Sequence, residues 1–217
     1  MKNKALQVLG LSGLLLLAAA FTLKSSNKEI VTLEIGETAP LQDRKMKDIS
    51  GVEYSLKDLV KENGLLVIFS CNSCPFVIGD GEDSEGWENR YHIVTSVANR
   101  AKIGVVLVNS NEAKRDGDDS FEAMKKRAEL KKYQAKYVID TNHELADGMG
   151  ARTTPHVFLF DKDMKLVYKG AIDDNVKSET AVTKRYLNDA MISIMQGKSI
   201  ETNSTRQVGC SIKRISK

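Results

Sequence analysis

Five apolar residues in a row, Leu65-Leu66-Val67-Ile68-Phe69, lead through Ser70 into Cys71-Asn72-Ser73-Cys74-Pro75. A continuous apolar run of strand length is buried on both faces, so it belongs at the centre of a sheet covered by helices on each side. A Cys-x-x-Cys pair just after such a strand sits at a strand-to-helix turn. With two residues between them, the sulfurs can bond across one turn. The unpaired N–H groups and positive dipole end of the following helix favour a thiolate there. Cysteines so placed ionise anywhere from about 3.5 to 7.5, against about 8.5 for a free thiol. The expectation is that Cys71 is the exposed, ionised attacker and that Cys74 is more buried and resolves the mixed disulfide. Pro75 falls in the first helical turn, where its missing N–H costs nothing.

Other uses of two cysteines fit less well. A zinc site needs two further ligands, yet there is no second Cys-x-x-Cys, and His92, His143 and His156 are scattered. No metal site and no cofactor is therefore expected. A purely structural disulfide over so short a loop removes little chain entropy. Three cysteines cannot staple 217 residues, and the 41% apolar content supplies an ordinary core. The net charge of +3 carries no basic excess, which argues against a nucleic-acid partner.

The N-terminus reads as a leader. Met1-Lys2-Asn3-Lys4 is basic, Ala5 to Leu23 is almost wholly apolar, and Ala18-Ala19-Ala20 suits a signal peptidase. The alternatives are an uncleaved membrane anchor, since the run approaches the roughly 20 residues that span a bilayer, or a buried helix. The expected organisation is a signal peptide or anchor over 1–23, a linker over 24–31 and one domain over 32–217. Export to the periplasm or cell envelope would put the cysteines in an oxidising compartment. Membrane contact is expected only if the leader stays attached.

Periodicity supplies the remaining elements. Short extended pieces are expected at Thr32-Leu33-Glu34-Ile35 and from Gly51, then a helix capped by Ser55. Trp87, Tyr91, Val94, Ala98 and Ala101 recur at helical spacing, and strand Val105-Val106-Leu107-Val108 follows. Asp119 and Glu122 are spaced as a capping box for a helix through Phe121, Met124 and Ala128. After strand Tyr137-Val138-Ile139-Asp140 comes a brief helix from Glu144 to Met149, then a hairpin turning at Asp161-Lys162-Asp163-Met164. Val182, Tyr186, Ala190 and Ile194 mark a last helix, ended by Gly197. This order implies an α/β fold with a mixed central sheet flanked by helices on both faces.

Thr153-Thr154-Pro155 precedes the strand Val157-Phe158-Leu159-Phe160. A proline entering a central strand cannot donate to the ladder. A cis Thr154–Pro155 bond accounts for it, turning the backbone to leave a free edge at the cysteines. Thr154 and Pro155 would then bind a substrate peptide as a transient strand. The acidic stretch 79–86 should interrupt the helix after Cys74, either raising a thiolate pKa or lying as a solvated loop too distant to act. Cys210 reads as a small buried apolar residue, with a second exchange step or a dimer-forming thiol as alternatives. His156 reads as a strand-start residue and Trp87 as core.

With these pieces assembled, the chain resembles a thioredoxin-fold protein of the redoxin group, which includes the alkyl hydroperoxide reductase/thiol-specific antioxidant proteins. The resemblance is carried by Gly36-x-x-Ala39-Pro40, the strand from Leu65 to Phe69, Cys71 and Cys74, Thr154-Pro155 and the hairpin over 157–170. The chain is also similar to exported bacterial thioredoxin-like proteins that join Cys-Asn-x-Cys-Pro-[Phe/Tyr] to a late Gly-Cys-Ser-Ile-Lys, here Gly209-Cys210-Ser211-Ile212-Lys213. The resemblance implies a thioredoxin-like fold and thiol–disulfide exchange with Cys71 and Cys74 as catalytic residues. It implies protein thiols or disulfides as substrates and a separate electron donor or acceptor protein. Peroxiredoxins of this group place Pro and Thr or Ser seven and three residues before the attacking cysteine. Here Gly64 and Ile68 occupy those places. Thiol peroxidase activity and a copper- or metal-handling role on the same fold are the alternative expectations.

Overall fold

A computed structural model describes residues 30–216. The expected leader at 1–23 and most of the linker lie outside the described residues. In chain order the elements are β1 (Met46–Lys47), β2 (Glu53–Tyr54), α1 (Leu56–Leu59), β3 (Leu65–Phe69), α2 (Pro75–Ile78) and α3 (Tyr91–Arg100). They continue with β4 (Gly104–Asn109), α4 (Phe121–Lys131), β5 (Lys136–Ile139), α5 (Glu144–Met149) and β6 (Thr153–Thr154). The last are β7 (His156–Phe160), β8 (Leu166–Gly170), α6 (Tyr186–Met195) and β9 (Cys210–Ser211).

The central sheet has the order β5-β4-β3-β7-β8. Strands β3, β4 and β5 run parallel, and β7 and β8 are antiparallel additions. Every residue of β3 is buried, because alternate side chains enter different cores. Leu66 and Ile68 join Val94 of α3, Met124 of α4 and Leu187 of α6 on one face. Leu65, Val67 and Phe69 join Leu56 of α1 and Leu145 of α5 on the other. Helices on both faces of this mixed sheet make the thioredoxin-like α/β fold that the sequence implied.

Local signals explain several boundaries. Ser55 caps α1 in a reciprocal box with Asp58. Gly150, at φ +66°, closes α5. The expected strand at 32–35 is absent. That stretch leans on the end of α5 through Leu33 N–H to Met149 O (3.1 Å), then Gly36 turns at φ +91° and pairs with Leu166 instead. The helix expected from Trp87 begins as a 3-10 turn over Glu88–Arg90. Side chains three apart eclipse in that geometry. Trp87 and Arg90 use it to reach one carboxylate, that of Asp173, at 2.8 and 2.7 Å.

Candidate active site

The end of β3 delivers the first cysteine. Ser70 N–H still pairs with Val108 O (2.9 Å), so Cys71 is the first residue to leave the sheet. Cys74 is the N-cap residue of α2 and Pro75 its first residue, as expected from the sequence. Stretch 79–86 does end α2, leaving it one turn long. The loop is pinned at its far end to residues 176–179, through bonds such as Glu85 N–H to Lys177 O (2.9 Å).

The Thr154–Pro155 peptide is cis, and Thr154 lies against both sulfurs. Its Oγ1 is 3.1 Å from Cys71 Sγ, and its carbonyl oxygen accepts from the Cys74 thiol at 3.0 Å. The structure therefore brings Cys71, Cys74, Thr154 and Pro155 together. Two expectations need correction. Cys71 is not an exposed attacker: it is 1% exposed and Cys74 3%. The edge at Thr154 is not free either, because β9 pairs with it, Cys210 opposite Thr154. Cys210 is thus no isolated apolar residue. Its N–H points at Cys74 Sγ from 3.4 Å, and its thiol shares a hydrogen bond with the same sulfur.

These contacts also move the expected thiolate. Cys74 is held down to about 5, first by the Cys71 thiol and then, against its burial, by the thiol and N–H of Cys210. Cys71 is pushed well up, by donating a hydrogen bond from its thiol to the Cys74 sulfur and by burial. Two sulfurs in contact titrate as a unit, and here the donors converge on Cys74. The four-residue α2 contributes only a single turn's N-terminus.

The carboxylate that acts on Cys71 is Asp119, a residue expected to cap a helix. Ser120 caps α4 instead, accepting from Ala123 N–H at 3.3 Å. Asp119 is fully buried and accepts from Asn72 N–H (2.7 Å), Ser73 Oγ (3.2 Å), Asn109 Nδ2 (2.8 Å) and Asn111 Nδ2 (3.0 Å). It therefore holds the Cys71–Cys74 loop against the end of β4. Tyr137 steadies the same loop by donating to Asn72 Oδ1 at 3.0 Å. Sequence reasoning missed Asp119 because a local capping pattern offered it a simpler role. Replacing Asp119 by alanine should cost about 2–3 kcal/mol, the scale of a hydrogen bond to a charged group, measured by urea unfolding. Cys71 should also ionise more readily once the neighbouring anion is gone, read from the pH dependence of its alkylation.

The histidines lie elsewhere. His143 Nδ1 pairs with Asp147 Oδ2 at 2.9 Å, and His156 packs on the Phe158 ring at 4.4 Å between centroids. Among the described residues no group of three or more His, Cys, Asp or Glu is arranged to hold a metal ion.

Residues 35–169, which include Cys71, Cys74 and all of the central sheet but the last residue of β8, match the model of the AhpC/TSA family. The chain belongs to the AhpC/TSA family. No curated protein sequence gives a match. Among solved structures it is similar to a hypothetical protein from Sinorhizobium meliloti, with 26% identity and a TM-score of 0.75 over 86% of this chain and 98% of the other. It is also similar to an uncharacterized conserved protein from Geobacillus kaustophilus, with 29% identity and a TM-score of 0.73 over 85% and 94%. Peroxidoxin BcpB from Mycobacterium tuberculosis shares the fold at 13% identity, with a TM-score of 0.53 over 76% and 97%. In this AhpC/TSA member the hydroxyl that touches Cys71 comes from Thr154. Ile68, three residues before Cys71, faces the core.

Proposed function

We propose that this redoxin is a thiol–disulfide oxidoreductase of the cell envelope, with Cys71 and Cys74 as its exchanging pair. The observation that carries the reading is the contact of two hydrogen-bonded sulfurs with Thr154, beside the cis proline. In the reduced protein, the thiolate of the pair attacks a sulfur of a substrate disulfide. That bond breaks, and the departing sulfur leaves with the electron pair and takes up a proton. The second sulfur of the pair, losing its proton, then attacks the mixed disulfide. A Cys71–Cys74 disulfide and a fully reduced substrate result. The reverse sequence oxidises a dithiol. Thr154 serves both sulfurs, and Asp119 keeps the loop shaped so that they can meet.

The substrates are protein thiols or disulfides, and a second protein supplies or removes electrons. The envelope location rests on the apolar run at residues 5–23 with its basic start. Equilibration against glutathione, with mass-tagged thiols counted at each poise, tests the activity. A single two-electron couple between Cys71 and Cys74 is expected. A potential near about −120 mV marks an oxidant and one near about −270 mV a reductant. If the two cysteines stay reduced at every poise, the reading fails.

A further inference from the structure

The third cysteine is held in place by more than proximity. Past Cys210 the chain is pinned at several points. Ile212 is buried beneath the sheet with Phe69 and Phe158, and its N–H bonds Arg152 O at 3.0 Å. Lys213 N–H bonds Asn111 Oδ1 at 2.8 Å, and Arg214 reaches Asp147 (2.8 Å) and Ala151 O (2.6 Å). Before Cys210, Gly209 lies so close to the cis-proline loop that an added Cβ would stand 2.3 Å from Thr154 O. A glycine is required for that approach. The result is a strap that pairs with β6 as an extended peptide substrate would, with its sulfur against Cys74.

We propose that Cys210 is a third redox-active cysteine, which attacks the Cys71–Cys74 disulfide at Cys74 and converts it into a Cys74–Cys210 disulfide with Cys71 free. The proposal rests on the exchange activity proposed above. The step is an isomerisation. Cys210 gives up its proton to solvent, its sulfur bonds Cys74 Sγ, and the Cys71–Cys74 bond breaks. Cys71 departs with the electron pair and takes up a proton. Nothing is oxidised or reduced overall, so no further reagent is needed. In the reduced protein Cys210 is pushed up to about 11 by burial and then by its hydrogen bond and charge contact with Cys74. Disulfide formation removes the Cys74 charge, leaving burial as the main restraint on Cys210. The new bond staples the strap over Thr154, so a peptide can pair with that edge only after the bond is reversed.

The test uses the full chain, reduced and then oxidised with one equivalent of glutathione disulfide. The remaining thiol is tagged and the disulfides are mapped by mass spectrometry without reduction. The tag is expected to divide between Cys210 and Cys71, with Cys71 carrying roughly a tenth or more, as for isomers within about 1.4 kcal/mol. A tag found only on Cys210, with all bridges between Cys71 and Cys74, overturns the proposal. A Cys71→Ser chain should form Cys74–Cys210 within one molecule, at a yield independent of protein concentration. Glutathione adducts or dimers alone would count against it. Gly209→Val, which forces the strap from Thr154, should lower the Cys74–Cys210 yield by about tenfold or more while Cys71–Cys74 still forms. An unchanged yield sinks the role given to the strap. The Cys210→Ser chain isolates the other reading: if it forms no Cys71–Cys74 bridge, the parent activity is at fault.

Discussion

Replacing Cys74 by serine is expected to stop turnover of a protein disulfide, by roughly a thousandfold or more, as when a covalent nucleophile is lost. One sulfur can form a mixed disulfide but cannot complete the transfer between its partners. Cys74→Ser should therefore accumulate a covalent adduct with the substrate, visible by mass on non-reducing analysis, whereas in Cys71→Ser the Cys210 thiol can release it as a Cys74–Cys210 disulfide. The two variants differ in their ionisation. In the native pair Cys74 is held down to about 5, chiefly by the proton on Cys71. Cys71→Ser replaces that thiol with a hydroxyl and leaves Cys210 as the only thiol donor to Cys74. Cys74→Ser removes the acidic thiol itself. The native protein should gain thiolate absorbance as pH rises through about 5. Cys74→Ser should show no such step, and its first ionisation should move up. A native titration with no thiolate below neutral pH would contradict the lowered ionisation of Cys74.

The second large effect is on stability. Asp173→Ala is expected to destabilise the protein by about 3–5 kcal/mol, because it leaves a guanidinium buried without its counter-charge. Arg90 and Asp173 are 2% and 3% exposed, and Arg90 Nη1 reaches both carboxylate oxygens at 2.7 and 2.8 Å. Asp173 also accepts from Trp87 Nε1. Without Asp173, Arg90 keeps the Asn175 carbonyl and a half-exposed Glu85 carboxylate 3.9 Å away, while its Nε and Nη2 have no hydrogen-bond partner among the described residues. Urea unfolding measures the loss, and Asp173→Asn, which keeps an acceptor, should lose less. The effect reaches the site as well. Trp87 N–H bonds Phe76 O at 3.0 Å, which ties this cluster to the helix that Cys74 begins. Alkylation of Cys74 should therefore quicken in Asp173→Ala. A loss below about 1 kcal/mol would mean that water reaches Arg90 in the native state.

The alkylation readouts share a physical basis. Both cysteines are buried, and β9 lies against Cys74, so a reagent reaches that sulfur only when the strap opens. Variants that loosen the strap or the turn before α3 raise the open fraction and hence the rate. Variants at Asp119 act on the loop itself.

Much of this was legible along the chain. The bounds of β3 follow from an uninterrupted apolar run, and the cap of α1 from Ser55 and Asp58 three residues apart. The hairpin of β7 and β8 follows from polar turn residues between two apolar stretches. The same rules misassigned Asp119, because Asp119 and Ser120 are both acceptable caps by local pattern. Which one caps depends on what the other is needed for, and Asn72, Asn109 and Asn111 claim Asp119 from outside the helix. Burial of the cysteines was missed for a related reason. Exposure at a strand-to-helix turn depends on what lies above it, and residue 210 stands 136 positions from Cys74.

What the amino-acid order determined alone was everything that depends on near neighbours: the fully buried strand, the thiols one turn apart, and the proline that bends the chain before β7. Tertiary structure decided what lies against those thiols. Hydrogen bonds and burial act over a few ångströms of space, whatever the separation along the chain. They set a carboxylate behind Cys71, a third cysteine beside Cys74, and a strand of the protein itself along the edge at Thr154.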